Sequence, residues 1–255
     1  MALFDVAADS YVRFMGRFST PLSVPFADIG LAGVDSSARV LDVGCGPGIL
    51  TSELVKRQGE ANVSAVDPVE AFVQAAAASY PAADVRVAAA EALPYPDDTF
   101  GATLAQLVVH FMSDPVAGVG EMVRVTAPGG RVSACVWDNA GGTGASSSFW
   151  RVVQRYDPEA EGEKARPGSW GGDLTRMFTD AGLQDVEETL LTVRRDFATF
   201  EEWWEPFTLG VGPAGAYVRS LNQIEQTGLM GALREEHGGG PITIQASAWT
   251  ATGLV

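Results

Sequence analysis

The chain has 255 residues, with 17 Lys and Arg against 32 Asp and Glu for a net charge of −15. That length suits one α/β domain carrying a modest insertion, and that charge repels phosphate backbones and anionic lipid surfaces, so neither nucleic acid nor membrane is an expected partner. Two cysteines (Cys45, Cys135) and two histidines (His110, His237) leave no spacing from which a metal cluster assembles. The Met1–Asp5 opening shows no basic segment followed by an apolar run, and no apolar stretch nears the roughly 20 residues that span a bilayer; a cytoplasmic protein is expected.

In chain order, β-branched runs alternate with helical patterns, which predicts parallel strands joined by right-handed crossovers. Strands are predicted at Arg39–Val43, Asn62–Asp67, Asp84–Ala88, Phe100–Leu107 and Arg131–Trp137. Between them, Leu50–Gln58 reads as a helix stopped by Gly59, and Ala71–Ser79 as an alanine-rich helix stopped by Pro81. A third helix carries a natural N-cap at Asp114, Pro115 in its first position and a stripe of Val116, Val119 and Met122, with Pro128-Gly129-Gly130 as its end. The rhythm then breaks. Asn139–Ser148 reads as a loop, Asp173–Ala181 as a helix, Val186–Val193 as a strand, Leu221–Glu236 as a helix and Pro241–Thr250 as a closing strand. The expected organisation is a doubly wound, Rossmann-like, mostly parallel sheet of seven strands. Residues 1–38 form an N-terminal helical cap, 39–196 a cofactor-binding core, 197–240 a cap inserted between the last two strands, and 241–255 the closing strand.

Chemistry belongs at the first strand-to-helix turn, because ligands of open α/β sheets bind beyond the carboxyl ends of the strands. The run Asp42-Val43-Gly44-Cys45-Gly46-Pro47-Gly48 falls there. Gly44 and Gly46 let backbone approach a ligand, the following helix N-terminus offers free N–H groups, and Asp67 ends the second strand where an acid accepts hydrogen bonds from a ribose. A dinucleotide loop would repeat glycine at G-x-G-x-x-G, but Ile49 stands at the last place.

Four runs together, Val40–Gly48, Val66-Asp67-Pro68, Glu91–Phe100 and Pro128-Gly129-Gly130, resemble the successive motifs of the class I S-adenosylmethionine-dependent methyltransferases. The likeness is to the branch similar to the ubiquinone/menaquinone-biosynthesis enzymes (type 11) and covers roughly residues 39–137. It implies S-adenosylmethionine as cofactor, with Asp42, Gly44 and Gly46 at its methionine end, Asp67 on the ribose, and Pro68 with the Ala90–Glu91 turn around the adenine. The main chain of Gln106-Leu107 would meet the methionine amino group. Relatives commonly place an acid where Ala89 stands. The Tyr11–Ser19 run, with Tyr11 and Arg17, resembles a helix that closes over the donor, or is an ordinary packing helix.

Methyl transfer needs positioning, water exclusion and, for O or N acceptors, removal of a proton. His110 and Asp138 are the candidate catalytic groups, against readings as a rim residue and a turn cap. Trp137, Trp203 and Trp204 are candidate walls for a small-molecule acceptor; packing or a homodimer contact are the other uses for these aromatics. His237, before three glycines, reads as a loop residue. Transfer to O, N or C of a small molecule is the expected activity, with a catalytically silent cofactor-binding module and a NAD-dependent oxidoreductase as alternatives. Gly210, Gly212 and Gly215 read as a mobile connection within the cap.

Overall fold

The computed structural model describes residues 8–163 and 165–255; the Met1–Asp5 opening lies outside them. The N-terminal part is helical: α1 (Ala8–Tyr11) runs through a π-helical turn (Val12–Gly16) into α2 (Arg17–Gly30). Pro21 and Pro25 lie inside α2 and remove backbone donors from its ladder. The core alternates β1 (Val40–Val43), α3 (Ile49–Gln58), β2 (Val63–Asp67), α4 (Glu70–Ser79), β3 (Asp84–Val87), β4 (Phe100–Gln106), α5 (Pro115–Val125) and β5 (Thr126–Trp137). The rest is α6 (Ser147–Tyr156), α7 (Asp173–Asp180), β6 (Gln184–Phe197), α8 (Phe200–Trp204), α9 (Gly212–Ser220), α10 (Gln223–His237) and β7 (Ile242–Leu254).

The seven strands order as β3-β2-β1-β4-β5-β7-β6. All pairs from β3 to β5 are parallel, and β7 runs antiparallel between β5 and β6. Strand order reverses at β1, with β2 and β3 on one side and β4 and β5 on the other, so a crevice opens between β1 and β4 beyond the strands' carboxyl ends. One sheet face packs against α2, α3, α6 and the helices between β6 and β7 through Leu22, Leu54, Phe149 and Trp203; the other packs against α5 and α7 through Met122 and Phe178. Strands β1 and β2 are buried along their whole length, as sequences covered on both faces must be.

Asp114 caps α5 by accepting from Val116 N and Ala117 N, with Pro115 in the first turn. Val119 and Met122 of the expected stripe are buried, whereas Val116 faces solvent. Pro128-Gly129-Gly130 does not end that helix. It lies inside β5, where Gly129 N donates to Val255 O and Val255 N to Gly130 O, so the chain end holds this stretch extended. α6 begins inside the expected loop and is not among the predicted elements; its apolar pairs Phe149-Trp150 and Val152-Val153 are filled in only by burial against the cap. No helix of the described residues is long and apolar enough to cross a membrane.

Candidate functional site

The turn after β1 is built from three left-handed glycines, with φ of +70° at Gly44, +53° at Gly46 and +94° at Gly48. Gly44 N and Cys45 N both donate to Val66 O, which ties the turn to β2. At the end of β2 the buried Asp67 carboxylate accepts from Gly46 N (2.8 Å) and Val69 N (2.8 Å), and burial raises its pKa against the opposing effect of these two bonds. A Cβ at Gly46 would meet only the Tyr11 ring edge at 3.9 Å, so this backbone stands open to the crevice.

Three compartments meet in the crevice. The largest, a cleft of about 810 Å³, runs between Gly44, Gly46, Asp67 and Pro68 on one side and Ala89, Ala90 and Glu91 on the other. The second, a small polar recess, lies between Asp42, Gly44, Ser19 and Gln106. In it Asp42 Oδ1 and Gln106 Oε1 are buried without partners, while Asp42 Oδ2 accepts from Thr51 (2.6 Å) and Gln106 Nε2 donates to Ser19 O (3.0 Å). The third is a narrow, partly open chamber bordered by Leu107, His110, Trp137 and Glu163. Tyr11 lines all three. Leu107, between the first and third, has φ +63°, a left-handed conformation that a branched side chain resists and that is common where a site constrains its backbone.

Residues 41–134 match the family model described as a methyltransferase domain. That stretch is similar to methyltransferase domains. The chain is similar to an uncharacterized methyltransferase of Schizosaccharomyces pombe, 32% identical over 148 residues that cover 51% of this chain and 52% of the relative. A malonyl-[acyl-carrier protein] O-methyltransferase of Halorhodospira halophila is 39% identical over 163 residues, covering 60% of this chain and 46% of the relative. The chain thus spans about half the length of these curated relatives. Among solved structures, a geranyl diphosphate C-methyltransferase from Streptomyces coelicolor, in complex with Mg2+, geranyl diphosphate and S-adenosyl-L-homocysteine, superposes with a TM-score of 0.56. It is 16% identical and covers 94% of this chain and 80% of that one, a likeness of fold.

Most residues singled out in the sequence converge here. Tyr11, Asp42, Gly44, Gly46, Asp67, Pro68, Ala90, Glu91, Gln106 and Leu107 line the cleft or the recess, and His110 and Trp137 line the chamber. Glu91 turns its carboxylate to Ser113 N (2.7 Å) and Asp114 N (3.1 Å), and so holds the start of α5. Four of the expected residues lie elsewhere. Arg17 lines none of the three compartments. Its guanidinium packs among the Phe14, Phe18, Phe197 and Phe207 rings and donates to Glu202 O and Trp203 O, and burial lowers its pKa to about 10. It ties α2 to α8. Asp138 is likewise outside: its oxygens accept from Gly141 N, Thr143 Oγ1 and Trp249 Nε1, which makes it the clamp of the loop after β5.

Trp203 and Trp204, expected as an acceptor wall, line none of the three compartments. The two indoles are 0% and 8% exposed and pack with Phe200 and Phe207, because α8 is gripped between sheet and α10 rather than facing the crevice. Gly210 and Gly215 pack closely: a Cβ at Gly215 would stand 2.6 Å from the Gly210 carbonyl carbon. Gly212, Pro213 and Ala214 themselves border the chamber. Sequence reasoning missed Glu163, a lone acid in a polar stretch with no periodicity. It is 8% exposed, accepts from Trp150 Nε1 (2.7 Å), and has its pKa raised by burial.

Asp42 gives the site a pH signature. Burial first, with the Asp67 charge adding to it, pushes its pKa up to about 7 despite the Thr51 hydrogen bond. An acid whose pKa is higher folded than unfolded holds a proton that the unfolded chain releases, so folding loses stability as pH rises from about 4 to about 7. Asp42→Asn keeps an oxygen for Thr51 and removes the titration. Relative to the unmodified protein, the ligand-free variant should gain on the order of 3 kcal/mol between about pH 5 and about pH 8. Urea unfolding at the two pH values measures it; equal pH dependence in both proteins would place the raised acid elsewhere.

Proposed function

We propose that this protein transfers a methyl group from S-adenosylmethionine to a small-molecule acceptor. The observation that carries the reading is the meeting of cleft, recess and chamber at Tyr11, with Leu107 between cleft and chamber, which joins a nucleoside-sized site to a second, partly open space. The residues fit the donor. Asp67 offers carboxylate oxygens to a ribose, the cleft between Pro68 and Ala90 suits a planar base, and the unpartnered Asp42 Oδ1 and Gln106 Oε1 suit an ammonium group.

When bound, S-adenosylmethionine supplies an electrophilic methyl on a sulfonium: an acceptor lone pair forms the new bond, the carbon–sulfur pair stays on sulfur, and the acceptor's proton leaves. The chain's own part is to hold both partners in line and keep water out. Tyr11 sits half-buried over the Gly46 backbone and against Phe72 (ring centroids 5.4 Å), and closes the donor side with its helix. Burial, with the Asp67 and Asp42 charges, pushes the Tyr11 phenol's pKa up and keeps it neutral. His110, 4% exposed on the chamber wall, has its pKa pushed down to about 3 by burial and by the Arg166 charge, so it meets an acceptor as a neutral imidazole. A cytoplasmic setting and an enzyme without a resident metal complete the proposal.

Calorimetric titration tests the donor site. S-adenosylhomocysteine should bind and NAD should not, since the loop lacks the third dinucleotide glycine. Asp67→Asn should weaken S-adenosylhomocysteine by about 1.5–3 kcal/mol, tenfold or more, because an amide replaces one charged acceptor oxygen. Unchanged affinity in that variant would remove the ribose assignment, and NAD binding in place of S-adenosylhomocysteine would remove the reading.

A further inference from the structure

The chamber is bordered by the polar side chains of Tyr11, His110, Trp137, Ser146 and Glu163. Its apolar wall comes from Phe14, Met15, Val211 and Pro213. Set into that wall are the Trp137 indole and the His110 imidazole, each 4% exposed. Trp137 Nε1 and His110 Nδ1 are both buried without a hydrogen-bond partner. A buried donor or acceptor left unpaired costs roughly 1–3 kcal/mol, and native structures retain few such atoms. Here the two residues that carry them border one chamber, next to the cleft. Glu163, on the same wall, adds a buried carboxyl.

Resting on the methyl-transfer reading above, we infer that the chamber selects an acceptor with an apolar body and a hydroxyl, whose oxygen accepts from the Trp137 indole and whose proton is donated to the His110 imidazole. The chemistry of the two rings decides the class. An indole N–H only donates, and a neutral imidazole has one nitrogen that accepts. A hydroxyl does both at one atom. An ammonium group only donates and would leave the indole unpaired, while a carboxylate or phosphate only accepts, would leave the imidazole acceptor unpaired and would meet Glu163. A purely hydrocarbon acceptor leaves both rings as they are. His110 then orients the hydroxyl by accepting its hydrogen bond, and Trp137 fixes the oxygen that keeps the lone pair.

Four one-ring probes of matched shape test this: p-cresol, toluene, p-toluate and benzylamine, titrated by ligand-observed NMR against the full chain with and without S-adenosylhomocysteine. In the donor-analogue complex, p-cresol should bind about fivefold to tenfold tighter than toluene, the gain expected for one or two hydrogen bonds replacing unpaired groups, with p-toluate and benzylamine no tighter than toluene. Trp137→Phe and His110→Phe should each bring p-cresol to within about twofold of toluene. The comparison on the unmodified protein stands even where a variant fails to fold. The inference is overturned if toluene matches p-cresol, if p-toluate or benzylamine binds best, if p-cresol does not bind, or if its advantage survives in both variants. S-adenosylhomocysteine is titrated separately: its binding without p-cresol selectivity rejects the hydroxyl chamber alone, whereas p-cresol selectivity without S-adenosylhomocysteine binding rejects the methyl-donor reading and leaves the hydroxyl site standing.

Discussion

Gly44→Val should weaken S-adenosylhomocysteine binding more than any other single change at the crevice. Gly44 sits at φ +70°, where a β-branched residue is strained by roughly 1–3 kcal/mol, and its Cβ would stand 2.5 Å from Val108 Cγ1. Overpacking of that kind costs a further 1–3 kcal/mol or so. Both are relieved by moving the Gly44–Gly48 turn away from the segment after β4, and that movement separates the Gly46 and Asp67 side of the cleft from the Leu107 side. The clash is thus with Val108 and not with ligand space alone. Affinity should fall by two orders of magnitude or more, corresponding to roughly 3 kcal/mol, in a protein whose circular dichroism shows the sheet intact. Wild-type affinity would mean that the turn does not form the cleft. Gly44→Ala should fall between the two, since it carries the φ penalty with a smaller clash.

Trp203→Ala should be the most destabilising single change outside the crevice. Its indole is fully buried, with ring centroids 5.7 Å from Phe200, 5.0 Å from Phe207 and 4.5 Å from His237. Removing a buried Trp side chain costs about 3–5 kcal/mol, and for a chain of this size that lowers Tm by roughly 10 °C. Because Trp203 Nε1 is itself buried without a partner, its loss offsets a part of that cost and places the value toward the lower end. On folded protein, S-adenosylhomocysteine affinity should stay within about twofold, as Trp203 lines none of the compartments. A Tm near that of the unmodified chain would return the indole to the surface and reopen its reading as an acceptor wall. Trp204, stacked on Phe200 and Phe207, should follow with a smaller loss.

The parts of this protein that the sequence by itself determined are those whose physics is local. A fully buried parallel strand needs an unbroken apolar run, a left-handed turn needs glycine, and a helix start needs an oxygen such as that of Asp114; each requirement falls on neighbouring residues, so β1, β2, the Gly44–Gly48 turn, Asp67 and the cap of α5 are legible in one dimension. The tertiary structure alone decided what distant residues do when brought together. The chamber joins Tyr11, His110, Trp137, Glu163 and Gly212, five separate stretches with no shared period, and nothing within a few residues of Glu163 distinguishes it from a solvated acid. Arg17, Asp138, Trp203 and Trp204 carry side chains suited to a site, but their direction is set by which partner each element packs against: the carbonyls of α8 for Arg17, the loop after β5 for Asp138, and the inner face of the helices between β6 and β7 for the two tryptophans. Spacing along the chain encodes backbone conformation, whereas the use of a side chain depends on contacts formed only when the sheet, the N-terminal helix and the inserted helices close on one another.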